Sequence, residues 1–78
     1  MKKYKRETIK DLYRIIGKYW NTSDTDYLNP AYNLAKTIDD RLWCEIESLA
    51  DLAVLKKAGV NTLIEALKLF GYEVEEEE

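Results

Sequence analysis

The sequence predicts an all-α fold, a small bundle of three helices, or four, with a long central helix and a short acidic C-terminal tail. Apolar residues recur at helical steps of three and four through most of the chain. The single proline and two of the three glycines, Gly59 and Gly71, stand where those runs start or stop. At 78 residues and 46% hydrophobic, the chain has material for one core and no more. Residues 1–74 are therefore read as a single α-helical domain and 75–78 as a disordered acidic tail.

From Lys5 to Trp20 the apolar positions Ile9, Leu12, Tyr13, Ile16 and Trp20 share a stripe about 100° wide, the mark of an amphipathic helix. Lys10, Arg14 and Lys18 lie on another face and form a candidate basic surface, with Asp11 and Arg14 spaced for an i,i+3 pair. Gly17 costs about 1 kcal/mol relative to alanine inside a helix, which predicts fraying of the last turn. Asn21 to Asp26 are six consecutive small polar residues that satisfy backbone groups locally, so they read as a loop.

Asn29-Pro30 is a start signal, because asparagine accepts from orphan amides of the first turn and proline at the first helical position gives up no hydrogen bond. Ala31, Leu34, Ala35, Ile38, Leu42, Ile46, Leu49 and Ala53 then keep helical phase, with no glycine or proline before Gly59. The expected element is one helix over 30–57, roughly 40 Å long, and a break near Asp39-Asp40 is the alternative. Trp43, Ala50 and Val54 form a second stripe beside the first. Together with Ile15 and Leu55 they exceed what so small a core covers, which makes them a candidate interface with a second copy or a larger protein partner.

Lys56-Lys57 suit a helix C-terminus and Gly59 suits a left-handed cap. Thr62-Leu63-Ile64-Glu65 has the spacing of a capping box and should open a short helix through Phe70, closed by Gly71. Tyr72-Glu73-Val74 alternates and could add a short extended contact.

The net charge of -3 conceals a gradient. Residues 1–18 carry seven bases against two acids, and residues 72–78 carry five glutamates and no base. Such ends are solvated, present a bipolar surface, or attract each other within one molecule or between copies.

Histidine is absent, removing the side chain most used for proton transfer near neutral pH, so no enzymatic activity is expected. Cys44 is the only cysteine; a lone thiol fits a reducing cytoplasm. The basic N-terminal stretch leads into charged residues and no apolar run, so neither a signal peptide nor a membrane span is expected. Asp40, Cys44 and Glu47 share a helix face but form a weak ligand set without histidine or a second cysteine. Asp24 and Asp26 begin like a calcium loop, yet Leu28, Asn29 and Ala35 occupy positions that need a ligand, a glycine and a glutamate. No metal or cofactor is expected.

Tyr19, Trp20, Tyr27 and Tyr32 surround the polar loop and form a candidate aromatic surface, the alternative being core filling with polar tips turned to water.

The segment from Thr62 through Leu67, Phe70 and Gly71-Tyr72 to Glu75 resembles the last helix and tail of repressor-like helix-turn-helix domains found in phage regulators and antitoxins. That resemblance implies a DNA-binding regulator. The helix pair that reads DNA in that family should precede this segment, where the chain instead has the acidic Ile38 to Lys57 stretch. A turn at Gly59 would put Glu65 and Lys68 where such a motif wants apolar residues. The first expectation is accordingly a small cytoplasmic helical module that binds protein, itself or a partner; a DNA-binding regulator is the alternative.

Overall fold

The computed structural model describes residues 3–75. Strand β1 (Lys3–Lys5) leads directly into helix α1 (Arg6–Tyr19). A 3-10 turn (Asp26–Leu28) precedes helix α2 (Pro30–Leu49), which is followed by α3 (Leu52–Ala58), α4 (Val60–Leu69) and strand β2 (Glu73–Glu75). The fold is the all-α bundle expected from periodicity, with four helices among the described residues.

The bundle is organised around α1, which packs against α2, α3 and α4. It contributes Ile9, Leu12, Ile15 and Ile16 to a core completed by Ala31, Ala35, Leu42, Trp43 and Ile46 of α2, Leu52 and Leu55 of α3, and Leu63, Ile64 and Leu67 of α4. Helical geometry continues through Gly17 to Tyr19, so the expected fraying is not seen.

The single helix expected over 30–57 is interrupted twice. Within α2, Asp39 is extended (φ -162°, ψ 97°), and its Oδ1 accepts from Leu42 N–H at 2.9 Å, so it caps the second half of the helix. Ala50 is again extended, and Asp51 caps α3 by accepting from Ala53 N–H at 2.8 Å. The reason lies in lengths: α1 is 14 residues, roughly 21 Å, and an unbroken rod of about 40 Å would hold its ends beyond anything able to cover them. Two aspartates supply local acceptors where the chain bends back, and the longest dimension of the molecule is 35 Å.

The N-terminal signal at Asn29-Pro30 is realised in full. Asn29 is 1% exposed; its Oδ1 accepts from Ala31 N–H (3.2 Å) and from Asn21 N–H (3.3 Å), and its Nδ2 donates to the Asn21 carbonyl (2.7 Å). One side chain thus starts α2 and ties the preceding loop to it.

The capping box at Thr62 does not form. α4 begins two residues earlier, after Gly59 (φ 100°), and the Thr62 hydroxyl donates back to the Ala58 carbonyl at 3.2 Å. Its end follows expectation: Gly71 (φ 95°) lets Gly71 N–H reach Lys68 O and Tyr72 N–H reach Leu67 O, a Schellman arrangement.

The extended contact foreseen at Tyr72-Glu73-Val74 pairs in parallel with β1, which the sequence did not announce. Lys3, Tyr4 and Lys5 stand opposite Glu73, Val74 and Glu75. The basic beginning and acidic end therefore meet within one molecule, with opposite charges in register. Glu75, assigned to the tail, belongs to the strand, and residues 76–78 lie outside the described residues. Tyr4 is buried, and its ring sits 5.9 Å from that of Tyr72, whose hydroxyl donates to Glu45.

Candidate functional site

Three of the five residues proposed as an interface are core residues of the same chain. Ile15, Trp43 and Leu55 are buried; Ala50 is half-buried at the break before α3; Val54, at 60% exposure, alone faces solvent. The second stripe does not survive as a surface, because the break at Ala50 and Asp51 separates Trp43 from Val54.

The aromatic group also divides. Trp20 and Tyr32 pack against the core, Tyr32 edge-on to Trp43 at 5.4 Å, whereas Tyr19 and Tyr27 are exposed. Burial, together with the Glu47 carboxylate accepting from its hydroxyl, raises the Tyr32 pKa above 10.0. Burial also raises Glu47, with Asp26 and Asp40 nearby adding to the effect and the Tyr32 hydroxyl and Lys36 opposing it. Glu47 and Asp26 thus act on Tyr32, and Asp26 and Asp40 act on Glu47.

The basic face is where a site takes shape. Lys10, Arg14 and Lys18, together with Tyr13 and Gly17 of α1 and Val60 of α4, line a groove of about 600 Å³. Spacing of four residues puts successive cations about 6 Å apart along the helix axis. Arg14 meets Asp11 at 3.3 Å, but both are exposed, so the pair is weak and the guanidinium is available to an incoming anion. Lys18 Nζ stands 5.3 Å from the Tyr19 ring. Tyr13 is fixed by donating its hydroxyl to the Lys56 carbonyl at 3.2 Å, and Lys56 Nζ in turn donates to Trp20 O at 3.5 Å. These links join α3 to α1 and hold the Tyr13 ring as one apolar wall.

Gly17 opens the groove. A Cβ placed there would meet nothing within 4 Å, so no contact of the chain with itself calls for glycine at this position in the last turn of α1. The cations were evident in the sequence, whereas Tyr13, Gly17 and Val60 as groove lining were not. The unexplained cost of Gly17 was the one available signal; Val60 comes from a distant part of the chain.

The α3–α4 corner is where a turn at Gly59 would place a DNA-reading helix pair. α3 has seven residues, and the exposed side of α4 presents Asn61, Thr62, Glu65, Lys68 and Leu69, followed by exposed Phe70, with Lys68 lying 3.9 Å from Glu65. Among the described residues no three His, Cys, Asp or Glu side chains are grouped to hold a metal ion, the set of Asp40, Cys44 and Glu47 included. No helix among them is long and apolar enough to cross a membrane. Comparison with known proteins finds no matching family model, no matching curated relative and no matching solved structure.

Proposed function

We propose that this chain is a protein-docking module whose α1 groove takes an acidic segment carrying an apolar side chain. The observation that carries this reading is the groove itself: an apolar lining of Tyr13, Gly17 and Val60 beside a row of three cations, opened at a glycine its own helix does not need. Acidic side chains of a ligand meet Lys10, Arg14 and Lys18, and an apolar one fills the space over Gly17. Binding, not catalysis, is the role, in keeping with the absence of histidine. The exposed lone thiol of Cys44 supports a reducing compartment, the cytoplasm, as the place of action.

The test is titration with a synthetic peptide in which glutamates flank a Tyr-Leu pair, alongside its lysine counterpart and a DNA duplex. The acidic peptide should bind, weaken as salt rises, and lose at least about tenfold in affinity to Gly17→Leu, which fills the groove. Preference for the lysine peptide, or an affinity that Gly17→Leu leaves unchanged, refutes the reading; tighter binding of duplex DNA turns it to nucleic acid.

A further inference from the structure

We infer that the occupant of the groove is a second copy of this chain, which inserts the Tyr27-Leu28 pair of its 3-10 turn beside Lys10, Arg14 and Lys18; the inference rests on the groove being a docking site. Tyr27 is 77% exposed and Leu28 60%, so neither is used by its own core. Yet the turn that carries them is held firmly. Leu28 and Asn29 N–H both donate to the Thr25 carbonyl at 3.0 Å, and the buried Asn29 side chain fastens the loop to α2. An apolar pair presented on an already ordered backbone loses little freedom on binding.

Charge selects this pair over Leu69-Phe70, two exposed apolar residues that are also adjacent in the chain. Tyr27 and Leu28 directly follow exposed Asp26, with exposed Asp24 two residues before it and no base between Asn21 and Asn29, and Asp26 also acts on Glu47, where Lys36 opposes it. Leu69 and Phe70 are also exposed, but Lys68 next to them lies 3.9 Å from Glu65, so their surroundings are of mixed sign. The groove has an apolar lining and a cationic row, and the 24–28 turn has an apolar tip and an anionic surround. Each chain carries both halves of the contact.

Sedimentation velocity on the full chain over a range of concentration and salt tests this. The wild-type chain should associate reversibly, less so as salt rises. Tyr27→Ala/Leu28→Ala and Gly17→Leu should each weaken association at least about tenfold, and a mixture of the two variants should associate again, since one supplies the groove and the other the turn. The turn residues altered are exposed, and circular dichroism of both variants checks that they remain folded. Strictly monomeric wild type at low salt, an unchanged dissociation constant in either variant, or a mixture that stays monomeric overturns the inference. A monomer that still binds the acidic peptide in a Gly17-dependent way refutes the second copy and leaves the docking groove standing; loss of both removes the two together.

Discussion

Replacing Asn29 by alanine should destabilise the fold by about 2 kcal/mol. Removing an asparagine N-cap costs about 1 kcal/mol, here the bond to Ala31 N–H at 3.2 Å. The same change strips Asn21 of two partners, its N–H and its carbonyl, at 3.3 and 2.7 Å. Asn21 is exposed and water replaces part of that loss, so the two bonds together contribute about 1 kcal/mol. For a domain of this size the sum lowers Tm by roughly 8–16 °C. Urea unfolding followed by far-UV circular dichroism and by the fluorescence of Trp20 and Trp43 measures it. Asn29→Ser, which keeps a capping oxygen but cannot reach Asn21 with an amide, should lose about half as much. Equal losses in Asn29→Ala and Asn29→Ser would show that the cap contributes nothing, and a loss below about 0.5 kcal/mol in Asn29→Ala would refute the reasoning altogether.

Gly17→Ala should raise stability by about 0.5–1 kcal/mol, because a Cβ there meets nothing while the unfolded chain loses freedom; chemical denaturation checks the sign. Asp51→Ala should cost about 1 kcal/mol through loss of the α3 cap, whereas Asp51→Asn, which retains an acceptor for Ala53 N–H, should be nearly neutral in the same assay. Tyr4, Tyr32 and Tyr72 all have pKa values above 10.0, from burial at Tyr4 and Tyr32 and from the hydrogen bond to Glu45 at Tyr72. The stability they contribute is fully present below that value and is lost as pH rises through their folded-state values. Alkaline unfolding should therefore follow their ionisation, and Tyr32→Phe should flatten the decline in stability above pH 10.0.

Features fixed by neighbouring residues were legible in the sequence. Asn29 next to Pro30 and Gly71 after a leucine-rich turn carry their own stereochemistry, and both ended up where local rules put them. Features that depend on what lies opposite were not. Asp51 is compatible with a helix interior; only the shortness of α1 turns it into a cap. Thr62 matched a capping pattern, but the positive φ of Gly59 let α4 start earlier and made the threonine an interior residue. Lys3-Tyr4-Lys5 has too few apolar positions to show a period, and its partner stands 70 positions away in the register. The same holds for the groove: periodicity lays out Lys10, Arg14 and Lys18, whereas Val60 arrives only when α3 folds back on α1.

The pairing of the two short strands has a mechanical consequence. β1 and β2 run in the same direction, so Lys3 and Glu75 occupy opposite ends of the ribbon. Force applied between those residues slides one strand along the other and loads every ladder bond together, whereas force between Lys3 and Glu73, paired at the same end, opens the bonds one after another. Closing the ribbon also means closing a loop over nearly the whole described chain, which places it late in folding, after the helices have packed. The residues that join last are thus the ones that resist extension as a unit.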